Sequence, residues 1–409
     1  DNGTVMNGKL IESPKSFQVA CTIITQIIAA VASSQYGGQS VDIKHLGKYW
    51  RKSYEKFKKQ IQDECGDEFD EATIDKLAHI RLRDELRSGV QTIQYQINTL
   101  MTTNGQSPFV TLFLNLEEGD PYIEENAMII EEIIRQRLEG IKNEQGVYVT
   151  PAFPKLVYVL DEHNCLKGGK YDYITKLAVK CSAKRLYPDY ISAKKMRENC
   201  EGNVFSPMGC RSFLAPWKDE NGNYKFEGRF NQGVVSINLP QIGIVAKGDM
   251  DKFWKLFDER LQLCFEALMC RHEAVKKITS TASPVHWQYG AIARLKRGES
   301  IEKLLYGGYS SISLGYIGLY EVTKLMTGQS HTTPEGEKFA LAVMQHMRDA
   351  TDRWKKETNI GFALYGTPAE SLCYRFARID KARFGTIEDV TDKGYYTNSY
   401  HVDVREKID

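Results

Sequence analysis

Ser206-Pro207-Met208-Gly209-Cys210-Arg211-Ser212-Phe213-Leu214 places a cysteine where the backbone is stiffened on one side and freed on the other. Pro207 fixes its own φ, and Gly209 reaches conformations closed to other residues. The stretch follows a polar connection and leads into a short apolar run ending at Trp217. It reads as a tight loop that presents Cys210 rather than a helix that buries it. A turn with an incidentally buried cysteine fits the same letters, because a free cysteine packs as a small hydrophobe.

Outward from this loop the chain alternates strand and helix. Upstream, 109–114 (Phe-Val-Thr-Leu-Phe-Leu) and 155–160 read as buried strands. The helices between and after them are expected over about 124–142 and 173–185, with Ile129, Ile130, Ile133 and Ile134 on one face. Downstream, short runs near Phe213 and over 234–237 continue the strands. A strong helical pattern covers 253–270, and 310–314 and 361–364 read as further strands. Strand–helix repetition with few half-exposed alternating strands favours a closed α/β barrel over a sandwich.

Ahead of this region the pattern is helical. Ala20, Ile23, Ile24, Ile27, Ile28 and Val31 recur at helical spacing after Pro14 and Ser16, either of which suits a helix start. Residues 44–103 read as helical almost throughout. The loop Gln35-Tyr36-Gly37-Gly38-Gln39-Ser40 breaks the first helix. Its glycines and polar side chains fit either a ligand contact or a plain helix ending. The expected division is therefore 1–103 as a helical region and 104–409 as the main α/β part.

A net charge of +1 over 409 residues argues against wholesale wrapping of nucleic acid. The nine cysteines are scattered with no close CxxC pair, so no zinc ribbon or iron–sulfur site is expected in this chain. A reduced, cytoplasmic protein fits this cysteine usage. Apolar runs break before membrane-spanning length, so no membrane span is expected. The eight histidines form no HxxxH cluster, and His272, His286 and His401 read as ordinary polar residues. Both chain ends, at Asp1-Asn2-Gly3-Thr4 and Lys407-Ile408-Asp409, read as arbitrary boundaries.

Two local stretches could hold a ligand. Tyr306-Gly307-Gly308-Tyr309 is a bend whose rings could stack on a base or simply pack. Thr367-Pro368-Ala369-Glu370-Ser371 lies between a strand and an apolar helix. Thr367 could cap that helix with Glu370 at capping-box spacing. The same unpaired N–H groups would suit phosphate oxygens, although Glu370 opposes an anion.

The chain also resembles a known family, the anaerobic class III ribonucleotide reductases. The resemblance rests on an ordered series: Val31-Ala32-Ser33-Ser34-Gln35-Tyr36-Gly37-Gly38, Asn104-Gly105-Gln106-Ser107-Pro108-Phe109-Val110-Thr111, Lys184-Arg185-Leu186-Tyr187-Pro188-Asp189 and the Cys210 stretch itself. It continues through Ser313-Leu314-Gly315-Tyr316-Ile317-Gly318, Thr367-Pro368-Ala369-Glu370 and Asp392-Lys393-Gly394-Tyr395-Tyr396-Thr397-Asn398-Ser399.

The resemblance implies a ten-stranded α/β barrel with an internal finger loop carrying Cys210. It implies that Cys210 forms a thiyl radical that abstracts the 3′-hydrogen of a ribonucleoside triphosphate. Asn231 would stand beside the substrate; the strand-to-helix turn itself, with its spare backbone donors, is the reason to expect a phosphate cradle at Thr367, Ala369 and Ser371. A glycyl radical made by a radical-SAM iron–sulfur activase would start the reaction, and formate would be the reductant. Deoxynucleoside triphosphate or ATP effectors and a homodimer would involve the N-terminal helices. The glycyl-radical loop, a structural zinc site and an ATP-binding cone are expected outside this chain, which binds no metal itself. The alternatives are a noncatalytic nucleotide-binding fragment and a related glycyl-radical lyase or dehydratase.

Overall fold

The computed structural model describes residues 3–6, 8–35, 37–103, 105, 107–207, 213–368 and 371–406. Its contacts divide the chain into two compact units. One comprises Asp1–Pro216 with Ser283–Ala293, and the other Trp217–Ala282 with Arg294–Asp409.

The first unit is built on a parallel four-stranded sheet. Its strands β1 (Gln39–Asp42), β2 (Val110–Leu114), β3 (Lys155–Leu160) and β4 (Asp189–Ser192) lie side by side in chain order. Val41 pairs with Leu112, Leu112 with Leu156, and Tyr158 with Tyr190. Helices α1 (Phe17–Ser34), α2 (Gly47–Cys65), α3 (Glu71–Thr99), α4 (Ile123–Glu139) and α5 (Asp172–Arg185) supply most of the packing. Ser16 caps α1 by accepting from the Val19 amide, and Asp70 caps α3 through Thr73. The α1–α3 crossing is close because α3 carries glycine there. A Cβ at Gly89 would come within 3.0 Å of the Cys21 sulfur and closer still to the Phe17 ring. Phe17, Leu82, Ile97, Leu114, Ile130 and Leu156 share one core. Helices α1, α2 and α3 share this core with the sheet, while Ile61, Ile74 and Ala78 form a smaller cluster between α2 and α3.

The second unit contains a parallel three-stranded sheet in the order β7–β6–β5, with β5 Asn231–Asn238, β6 Ser311–Ile317 and β7 Gly361–Gly366. Helices α6 (Leu239–Ala246), α7 (Met250–Lys276), α8 (Leu319–Thr327), α9 (Pro334–Thr358) and α10 (Ser371–Phe384) follow the strands. Ile237, Ile312, Leu314, Tyr316 and Phe362 pack with Phe253, Phe257, Val343 and Trp354 of α7 and α9. Burying such side chains contributes about 1.5–3 kcal/mol each.

These parallel sheets, connected through helices, are α/β architecture as expected. The sequence-based strands over 109–114, 155–160, 234–237, 310–314 and 361–364 all lie within or around observed strands. Among the described residues no strand forms near Phe213: residues 213–217 run without regular structure. Pro216 removes an amide donor there, which disfavours a ladder. Conversely, β1 and β4 were not expected. Each has only four residues, too few to establish a hydrophobic period, and each depends on its neighbour for hydrogen bonds.

Candidate active site on the polar face of a parallel sheet

Side chains alternate across a strand, so β6 has two unlike faces. Ile312, Leu314 and Tyr316 face the helical core. The other face carries Ser311, Ser313 and Gly315. These positions pair with Asn231, Val234 and Ser236 on β5. On β7 the in-register partner of Ser313 is Ala363. The result is a run of small, mostly polar groups on a sheet whose other face is apolar. Ser311 and Ser313 are nevertheless buried, so their hydroxyls require partners.

Asn231 is one such partner. Its Nδ2 donates to Ser311 Oγ at 2.9 Å and to Ser313 Oγ at 2.5 Å. Its Oδ1 accepts from the Gly233 amide at 2.7 Å. Both amide protons are thus engaged, leaving the second lone pair of Oδ1 and the serine hydroxyls as the available bonding capacity. Next along the strand, Gln232 donates to Ser310 Oγ at 2.9 Å, and its Oε1 meets the Nδ1 of buried His272 at 2.8 Å. His272 Nε2 reaches the Tyr306 hydroxyl at 3.2 Å, and burial pushes its pKa below the ordinary range. Arg229 donates to the Tyr309 and Gly308 carbonyls at 2.8 and 2.6 Å. The Tyr306–Tyr309 bend is therefore fastened to the start of β5. Tyr309 packs edge-on against Trp217, which matches the packing alternative for these rings.

Thr367 lies just beyond the opposite end of this face. Its hydroxyl meets Ser236 Oγ at 2.8 Å, and its carbonyl accepts from Ser399 Oγ at 3.4 Å. Gly315 makes the first contact possible, because a Cβ there would collide with both hydroxyl oxygens. By register, Asn231 and Thr367 are separated by the Ser311-to-Gly315 step, about 13 Å along the strand. They share a face but do not touch. Ser371 is exposed at the first position of α10, whose first turn contains no acidic residue. Ala369 and Glu370 lie outside the described residues, as does Cys210.

A network not anticipated from sequence fixes the end of this sheet. The Gly318 amide donates to the Thr397 carbonyl at 2.9 Å. Buried Glu321 accepts from the Thr397 amide at 2.9 Å and its hydroxyl at 2.8 Å. Glu321 also pairs with Lys393, which reaches Asp403 Oδ2 at 2.5 Å. Burial pushes the Asp403 carboxyl up, but bonds from the Lys393 ammonium and from the Arg405 amide and guanidinium together hold its pKa below the usual range. Asp380, also buried, accepts from Asn238 and Gln241 at 2.7 Å each and from the Tyr396 hydroxyl at 3.0 Å. These contacts hold the 392–403 segment and α10 against the strand ends. The available sequence signals were Ser-x-Ser alternation in an otherwise apolar strand and a lysine within the 392–399 motif. Among the described residues, no group of three histidine, cysteine or acidic side chains could hold a metal ion.

In the Cys210 region, Pro207 is buried and its carbonyl accepts from Ser206 Oγ at 2.8 Å and Ser40 Oγ at 2.5 Å. Phe205 and Phe213, on either side of the cysteine stretch, stand edge-on with ring centroids 6.2 Å apart.

Comparison with known proteins sets these features in a family. The chain is 40% identical over 413 residues to the anaerobic ribonucleoside-triphosphate reductase of Salmonella typhimurium, covering 99% of this chain and 56% of that one. It is likewise 40% identical over 418 residues to the reductase of the same name from Enterobacteria phage T4, covering 100% of this chain and 66% of that one. The chain thus spans between about half and two-thirds of these relatives. A Thermotoga maritima anaerobic ribonucleotide reductase solved with citrate in its active site has a TM-score of 0.63 at 16% identity, over 94% of this chain and 65% of that one. The same organism's enzyme in complex with dATP and CTP has a TM-score of 0.64 at 17% identity, over 97% of this chain and 61% of that one. These structural likenesses establish a common fold. The family description "Anaerobic ribonucleoside-triphosphate reductase" matches residues 1–409, and by that match across its whole length the chain belongs to this family.

Proposed function

We propose that this chain carries the reducing site of an enzyme that converts ribonucleoside triphosphates to deoxyribonucleoside triphosphates anaerobically. The observation that carries this reading is the family match over all 409 residues. The polar β5–β6 face supports it by offering buried hydroxyl and amide groups suited to a sugar.

In this reading Cys210 is the hydrogen-atom carrier on an internal finger loop of a ten-stranded barrel. Its thiyl form takes the 3′-hydrogen of the ribose, the 2′-hydroxyl leaves as water, and the product recovers its 3′-hydrogen from Cys210. Formate balances the reaction: ribonucleotide, formate and a proton yield deoxyribonucleotide, carbon dioxide and water. A glycyl radical on a segment outside this chain, generated by a radical-SAM activase, supplies the oxidising equivalent. Asn231 orients a sugar hydroxyl or the reductant through Oδ1 and its two serines. Thr367, Ala369 and Ser371 receive phosphates at the start of α10, with Thr367 contributing backbone because its hydroxyl is engaged by Ser236. Residues 1–103 contribute dimer and nucleotide-effector surfaces, a structural zinc belongs to the remainder of the protein, and the site of action is the cytoplasm.

The test uses full-length protein activated anaerobically. Conversion of a ribonucleoside triphosphate to its deoxy form with equimolar formate oxidation is expected. Radical-bearing protein that ignores ribonucleotides but dehydrates a small diol would overturn the reading in favour of a lyase.

A further inference from the structure

A chain of hydrogen bonds in the first unit ends at the root of the Cys210 stretch. It begins at His286, in the Ser283–Ala293 segment that packs with residues far earlier in sequence. Gln35, which ends α1, donates through Nε2 to the carbonyls of Gly37 and Gly38 at 2.8 and 3.1 Å. Its Oε1 must therefore accept, and the His286 Nε2 proton is the donor at 2.9 Å. His286 Nδ1 then accepts from Ser283 Oγ at 2.7 Å. The imidazole is 5% exposed, and burial lowers its pKa, which suits this neutral form. Immediately after the loop, the Gln39 amide donates to the Phe109 carbonyl at 2.9 Å, and Gln39 Nε2 donates to Ile28 O at 2.8 Å. Ser40 is thereby held in β1, paired with Thr111, with its hydroxyl on the Pro207 carbonyl at 2.5 Å.

We propose that Ser40 is a positioning residue for the cysteine loop, and that His286, through Gln35, holds the glycine loop from which Ser40 projects. The residues joined this way are 167 positions apart at Ser40–Pro207 and 251 apart at Gln35–His286, so chain connectivity alone does not hold them. Pro207 has no amide hydrogen, and its carbonyl is the group through which β1 grips it. Two residues separate Pro207 from Cys210. A hydrogen atom passes only over a short, aligned path, so a small displacement at this root affects the chemical step more than binding. The proposal rests on the reading above only for the role of Cys210; the contacts themselves are independent of it.

The test compares full-length wild type with Ser40→Ala, Ser40→Thr, His286→Leu and His286→Gln. Backbone hydrogen exchange over 205–216 requires no activity. It is expected to accelerate in Ser40→Ala and His286→Leu, and to stay near wild type in Ser40→Thr and His286→Gln, which retain a donor. In anaerobically activated enzyme, Ser40→Ala should reduce kcat on the order of 10- to 100-fold, with KM and glycyl-radical yield little changed. Ser40→Thr should recover most of the rate. Unchanged exchange and kcat in Ser40→Ala would overturn the proposal. So would acceleration spread across the whole unit, or a threonine variant that behaves like alanine. If wild type reduces no ribonucleotide, the functional reading fails, while the exchange measurement still decides whether Ser40 holds the loop.

Discussion

Gly315 shows how one missing side chain shapes the candidate site. Ser236 and Thr367 reach each other across the space where a Cβ would stand. Gly315→Ala should therefore separate the two hydroxyls or displace β7, costing about 1–3 kcal/mol as an overpacked buried position. Chemical denaturation measures this, and a loss below about 0.5 kcal/mol, typical of neutral surface changes, would contradict the geometry. At this scale the sequence was only partly legible. Asn231 was singled out through family resemblance and Thr367 through the strand-to-helix turn it begins; Asn231 lies on the polar face and Thr367 just beyond its end. Ser236, Ser311 and Ser313 were not singled out, because a serine in an apolar run does not reveal which face it occupies until the register is known. Ser40 and His286 were harder still: a contact across hundreds of residues leaves no local signature.

The elements that close the second unit depend on buried charge. Asp380 receives three donors and offers no proton of its own. Asp380→Asn would turn an N–H₂ group toward at least one of those donors, so a cost of about 1–3 kcal/mol is expected in denaturant unfolding. Lys393 sits between Glu321 and Asp403, all nearly excluded from solvent. Lys393→Met should cost about 3–5 kcal/mol by removing the ammonium that the two buried carboxylates share, with Arg405 left on Asp403 alone. The pH dependence has a definite sign. The folded Asp403 pKa is depressed, so its contribution is complete above the unfolded value of about 3.9 and is lost as pH falls through the lower folded value. Stability measured between pH 6 and pH 3 should fall more steeply in wild type than in Lys393→Met. Longer elements were readable because they carry their own periodicity and caps, as with Ser16 before α1 and Asp70 before α3. The four-residue strands β1 and β4 carry neither.

For the molecule as a whole, the alternating strand–helix pattern gave the α/β class, whereas the two units of the packing were not legible. Segment 283–293 joins the first unit through tertiary contacts such as Thr4 to the Tyr289 carbonyl, and no composition shift marks its borders. Helix α1 is long and apolar enough to cross a membrane by length and hydropathy. Phe17, Ala20, Cys21 and Ile28 are buried in the core shared with α3 and the sheet, which accounts for part of its apolar character. Each sheet carries one polar feature: Ser40 bonds the Pro207 carbonyl in the first unit, and Asn231, Ser311 and Ser313 form the hydroxyl-rich face in the second.

The central claim is that Cys210 carries the hydrogen atom between the glycyl radical and the ribose. Replacing it with serine keeps the size of the side chain but presents an O–H bond too strong for that exchange. The decisive measurement is made on full-length wild type and Cys210→Ser, activated anaerobically side by side, with electron paramagnetic resonance and deoxynucleotide analysis on the same samples. The account predicts a glycyl-radical signal in both proteins and deoxynucleotide only in wild type. Substantial deoxynucleotide formation by the serine variant would contradict it.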